Sequence, residues 1–188
     1  MTKTILAVSL AAVFVVSMIM TPAFAASSGY LKIKSSTSSI SDGKLSASIT
    51  TKSAIPTNGK YGAFGYAILT DGGNGPLDNV VVIVTHLGID DSTHENPRSG
   101  WHTHVLDLMD PSPSCNGHTL EVDLIGSGAN TAFDSDYAYG MKGNKLTITD
   151  VPTSDLGDPS SVGGIVAFTV TPVFDSGNQL TNLCVDVV

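Results

Sequence analysis

The sequence predicts an all-β chain: a single Greek-key-like β-sandwich or barrel of about eight to nine strands, placed behind an N-terminal signal peptide. Three observations carry this expectation. Apolar and polar residues alternate in short runs, turn dipeptides separate those runs, and nothing after residue 25 holds the apolar spacing of a helix over three turns.

The first element is the export segment. Lys3 gives a positive start, Ile5 to Met20 is an almost unbroken apolar run, and Ala23-Phe24-Ala25 is a small-x-small cleavage site following Pro22. An uncleaved anchor is the competing reading, because a helix of about 20 apolar residues can span a bilayer. Pro22 and the cleavage site favour removal after Ala25. Residues 1–25 are thus expected to be the signal and residues 26–188 one β domain. Removing 25 of 188 residues leaves 163, enough for a real core.

The lost segment carries Lys3 and no acid, so the formal charge of −8 becomes −9. Such an acidic surface repels phosphate backbones and anionic membranes, which argues against nucleic acid or a charged bilayer as partner. No second apolar stretch reaches spanning length, and no cysteine follows the cleavage site to take a lipid. The mature chain is expected outside the cell, either released or held in the cell envelope. Its protein partners and oligomeric state are not legible in the sequence.

Within the domain, residues 35–41 are rich in Ser and Thr, and read as either a flexible lead-in or a polar edge strand. Residues 44–50 alternate through Leu45, Ala47 and Ile49. Residues 63–69 are apolar, and 80–86 form a β-branched run that is apolar on both faces, as in a central strand. Residues 101–109 alternate, and residues 118–125 place Leu120, Val122 and Leu124 on one face. Residues 145–149 alternate through Leu146 and Ile148, while 164–174 and 180–188 close the chain. Asn58-Gly59, Asn74-Gly75 and Asn116-Gly117 are expected as type I′ turns, with further turns at Asp71-Gly72-Gly73 and Gly143-Asn144. Residues 90–100 and 149–161 read as long loops. The two cysteines, Cys115 and Cys184, are expected to pair in an exported chain; two free buried thiols are the alternative.

The chemistry is concentrated in one segment. All five histidines, His86, His94, His102, His104 and His118, fall between residues 86 and 118. His102-Thr103-His104 lies in an extended run, so alternation puts both imidazoles on one face, with Leu106 and Leu108 continuing that face. His86 ends one predicted strand and His118 begins another. If those strands flank 101–109, both rings arrive at the same rim. Neutral imidazole is the commonest ligand of zinc and copper. The expected metal ligands are therefore His102, His104, His86 and His118, with Asp90, Asp91, His94 and Glu95 as further candidates from the intervening loop.

Gly100-Trp101-His102-Thr103-His104, followed by Cys115, Gly117 and His118 and by a late Cys184, resembles a stretch of the copper/zinc superoxide dismutases. The resemblance implies a Greek-key β-sandwich with His102, His104 and His118 as copper ligands, His118 bridging, and Cys115 paired with Cys184. It departs in having no histidine after His118 and no arginine other than Arg98. The segments Val84-Thr85-His86-x-Gly88, Trp101-His102-x-His104 and Cys184-Val185 also look like small secreted archaeal proteins, a resemblance that implies no activity.

Three functions compete. The first is a secreted binder or carrier of copper or zinc, with dismutase-like chemistry open to it. The second is a structural or adhesive cell-envelope protein without metal, which the Ser/Thr/Gly-rich composition suits. The third is a cupredoxin-like electron carrier, since Cys115-Asn116-Gly117-His118 has Cys-x-x-His spacing; that site requires a free thiolate. Whether the protein is an enzyme is left open. Neither G-x-S-x-G nor H-E-x-x-H is present to mark a hydrolase.

Overall fold

The computed structural model describes residues 28–58, 61–75, 77–86, 89 and 99–188. The export segment, Gly59 of the first turn, and the loop candidates Asp90, Asp91, His94 and Glu95 lie outside the described residues.

A short 3-10 turn at Gly29–Leu31 leads into a hairpin of β1 (Ile33–Ser41) and β2 (Lys44–Thr51). A meander follows: β3 (Phe64–Thr70), β4 (Val80–Thr85) and β5 (Trp101–Leu106). Next come the short β6 (Leu108–Met109) and β7 (Leu120–Val122), a six-residue helix α1 (Leu124–Ala129), and the hairpin of β8 (Tyr139–Lys142) with β9 (Lys145–Pro152). The long β10 (Val162–Phe174) and β11 (Leu180–Val187) complete the chain.

The strands form two antiparallel sheets. The small one runs β1-β2-β9-β8, and the large one β5-β4-β3-β10-β11-β7-β6. The order β10-β3-β4-β5 is that of a Greek key, with the returning strand beside the first of a meander. The two edge strands of the large sheet, β5 and β6, are separated in sequence by Asp107 alone, so the sheet curls into a half-barrel. Asp107 holds that corner: its Oδ1 accepts from the Asn79 amide at 2.8 Å and its carbonyl accepts from the Asp123 amide at 2.9 Å.

The all-β sandwich agrees with the sequence reading, the structure decides between the two readings of residues 35–41, and three local differences have physical causes. Residues 35–41 belong to a polar edge strand, because Asp42 and Gly43 both take positive φ (53° and 70°) and turn the chain tightly back on β2. The predicted strand 101–109 breaks at the Asp107 corner. The predicted strand 118–125 stops after three residues, where the Asp123 carboxylate accepts from the amides of Ile125 and Gly126 and caps α1. Asn116-Gly117 is a type II turn and not type I′: Asn116 sits at φ −58°, ψ 126°, Gly117 at φ 95°, and the His118 amide donates to the Cys115 carbonyl.

Strand alternation divides the buried side chains into two cores. The convex face of the large sheet turns Phe64, Tyr66, Ile83, Trp101 and Val105 toward Leu45, Ile49, Leu146 and Ile148 of the small sheet. The concave face gathers Ala67, Val82, Val84, Leu106, Phe168 and Leu183 inside the curl. β4 is buried on both sides for this reason, as its unbroken β-branched run predicts. Trp101 is fully buried, meets Phe64 edge-to-face at 5.3 Å, and donates from Nε1 to the Pro56 carbonyl at 3.0 Å. These contacts fix the start of β5.

Cys115 and Cys184 form a disulfide, with the sulfurs 2.01 Å apart. It ties the turn before β7 to β11. Beside it Glu121 is buried, its carboxylate accepting from the Asn182 side-chain amide at 2.6 Å and the Ser112 backbone amide at 2.7 Å. Burial pushes this carboxyl up, but the hydrogen bonds more than offset it, and Glu121 lies below the ordinary glutamate range.

Candidate metal centre

The register of β4 against β5 builds the site. His102 sits opposite Val84 and His104 opposite Val82, so both imidazoles share the concave face with those valines. His86, just past the end of β4, extends the same stripe of Val80, Val82 and Val84 by one more step. Three histidines therefore converge at one end of the curl, all buried: His86 at 5%, His102 at 1% and His104 at 2% exposure.

Each ring is held through Nδ1 by a different backbone carbonyl. His86 Nδ1 donates to Ile89 O at 3.0 Å, while the Ile89 amide donates back to His86 O at 3.0 Å, so the ring is locked into its own turn. His102 Nδ1 donates to Gly100 O at 2.8 Å. Gly100 has φ 66°, a left-handed conformation that aims its carbonyl back at the ring two residues on and that a side chain would strain. His104 Nδ1 donates to Phe133 O at 2.8 Å, and the Phe133 ring stacks on the same imidazole at 4.8 Å. The segment around Phe133 is docked on β5 from its other side too, since Thr103 Oγ1 donates to Ser135 O and accepts from the Tyr137 amide.

A carbonyl oxygen can only accept, so each of these Nδ1 atoms carries the hydrogen. The tautomers follow from these bonds: in each neutral ring the lone pair is on Nε2. One ring nitrogen from each histidine lies within 4.8 Å of the others. The Nε2 atoms of His102 and His104 are 2.9 Å apart. With both hydrogens on Nδ1, that contact sets two lone pairs against each other, an arrangement that a cation between them stabilises. Nitrogens bound to a tetrahedral zinc at about 2.0–2.1 Å are roughly 3.3 Å apart, so the triad reaches coordination by side-chain shifts of about an ångström.

No known family model, curated protein or solved structure matches this chain.

The resemblance to copper/zinc superoxide dismutases stands on the histidine triad, the disulfide and the β-rich sandwich alone. The ligand set it implies is not the one assembled here. His118 is not in the group; its Nδ1 donates to Asp186 Oδ2 at 2.9 Å at the β7–β11 boundary, with the imidazole partly exposed. The type II turn at Asn116-Gly117 sends it toward β11. The third imidazole of the cluster is His86, which the resemblance does not assign. The cupredoxin reading fails on the disulfide, which uses the thiolate that such a site requires.

Among the described residues the group is three imidazoles without an acid. Sequence reasoning found all three rings but none of their supports. A glycine opening a strand was the one available signal for Gly100; Phe133, 29 residues beyond His104, has no local signature. No helix among the described residues is long and apolar enough to cross a membrane.

Proposed function

We propose that this chain is an exported metal-binding protein, released or held in the cell envelope after cleavage at Ala25, that carries zinc or copper on Nε2 of His86, His102 and His104. One observation supports this above all. Three separate backbone carbonyls hold the three Nδ1–H groups, which leaves Nε2 of each neutral ring as the ligand atom, and one nitrogen of each ring lies within 4.8 Å of the others. Carbonyl or carboxylate partners on the far nitrogen are the usual support of metal-bound histidine, since they fix the tautomer and raise ligand basicity. Burial adds rigidity. Three ligands leave a fourth position for water, an anion or a passing ligand, which suits a binder or carrier and supplies Lewis-acid chemistry to whatever enters.

The test is stoichiometry. The chain from Ala26 is loaded with Zn(II) and, separately, Cu(II), dialysed, and its metal quantified beside the His102→Ala and His104→Ala variants. One equivalent in the parent and none in either variant is expected, with His118→Ala retaining the full equivalent. Failure of both metals to bind stoichiometrically contradicts the proposal and leaves a structural envelope role in front.

A further inference from the structure

The interior of the curl is not filled. A cavity of about 190 Å³ lies inside the large sheet, and among its described lining residues only His86 and His104 have side chains that are not hydrocarbon. The remainder of the wall comes from residues such as Val82, Leu106, Phe168 and Leu183. The void has a cause in the sequence. Strand β3 offers Gly65, Ala67 and Leu69 to the floor of the curl, and the first two are too small to fill it. A Cβ at Gly65 would lie 2.9 Å from the ring of Phe168 and 2.5 Å from the Ile83 carbonyl, so that position cannot carry a side chain that would help fill the space.

We propose that this cavity holds the hydrocarbon body of a small carboxylate, about six to eight carbons long, whose head takes the fourth position on the metal held by the triad. The inference rests on the metal reading above and adds the ligand class. Three features of the site support it. An apolar cavity of about 150 Å³ accepts a six-carbon ring, so 190 Å³ suits a body slightly larger. The described lining is hydrocarbon along the length of such a body, which suits an apolar chain better than a sugar, nucleotide or peptide. The polar groups sit together, where a head group would meet the metal. Carboxylate oxygen is an ordinary zinc ligand beside imidazole nitrogen, so an acid head is a fit fourth ligand. A carboxylate joined to a short apolar chain satisfies both ends of the cavity at once.

The experiment uses the chain from Ala26 loaded with Co(II), whose visible bands report both metal occupancy and a change of fourth ligand. It is titrated with butanoate, hexanoate, octanoate and dodecanoate, and with 1-octanol as the headless control. Affinity is expected to rise about fourfold per added methylene, to stop rising near eight carbons, and to perturb the cobalt bands; 1-octanol should leave those bands unchanged. Ala67→Phe, which puts a ring into the cavity, should keep the cobalt and lose the chain-length dependence. Leu183→Ala, which enlarges the cavity, should move the plateau to longer chains; it carries the test if the first variant does not fold. Cobalt bound one-to-one with affinities independent of chain length would overturn the ligand while leaving the metal site intact. A chain that takes up no cobalt overturns both readings, and that is seen before any carboxylate is added.

Discussion

The large sheet has two buried faces, and they differ in how they are packed. On the convex face, two sheets interdigitate. Trp101, Tyr66 and Phe64 stack and cross against the small sheet, and Leu45, Ile49, Leu146 and Ile148 are fully buried. On the concave face the same strands curl around small and β-branched residues and stop short of closure, leaving a void with two of the three histidines in its wall. The first face supplies rigidity. The second spends none of its area on a partner sheet and keeps room for a ligand. With His102 and His104 on β5 and His86 just past β4, the packed side would hold the proposed ligands still while the open side faces the cavity.

This contrast predicts unequal costs for truncation. Ile148→Ala on the packed side should lose about 4 kcal/mol and Leu183→Ala on the open side about 2 kcal/mol, because the latter already lacks neighbours on its cavity side. Urea unfolding of both variants decides it; equal losses would mean that the two faces are packed alike. Next in size is the metal itself. Zn(II) at about 100-fold over its dissociation constant should stabilise the native chain by about 2.7 kcal/mol, seen as a rise in Tm that His104→Ala abolishes. Gly100→Ala should cost about 1 kcal/mol for the left-handed backbone. It should also weaken metal binding by about 10- to 100-fold, since it displaces the carbonyl that orients His102.

The smallest effect lies on the acid side, away from both faces. Glu121 is held below its ordinary value in the folded chain, so it adds stability at pH above its unfolded pKa. That contribution is lost as pH falls below the unfolded value near 4.5 and through the folded one. Glu121→Gln should flatten the fall in stability over that window and leave metal binding untouched. A variant with an unchanged acid slope would assign the slope to other carboxylates, such as Asp71, which the Ser160 hydroxyl and Ser161 amide hold down at about 2.

The strands that were legible in the sequence are those whose apolar residues alternate or run unbroken: β2, β3, β4, β5, β9, β10 and β11, with β7 legible but shorter than expected. β1 lacks that signal because six of its nine residues are Ser or Thr, spread over both faces, and only Asp42-Gly43 marks it as half of a hairpin. β8 is four residues long and contributes only Tyr139 and Met141 to the core, too few for alternation to stand out. His102 and His104 could be paired by strand period alone, and His86 by its place one step past a buried stripe. His118 could not be placed, because spacing from Cys115 says nothing about which way a type II turn points. The carbonyls that orient the rings were invisible for a different reason: any residue supplies a carbonyl, so only the fold selects Ile89, Gly100 and Phe133.

The central claim is that three Nε2 atoms, and not His118, bind one ion. Long-range proton–nitrogen correlation spectra of the histidine rings, recorded on the chain from Ala26 with and without one equivalent of Zn(II), test it most directly. The account predicts that three imidazoles show Nδ1–H tautomers, that their Nε2 signals alone move on zinc addition, and that His118 stays where it was. Movement of His118, or of Nδ1 in any of the three, would contradict it.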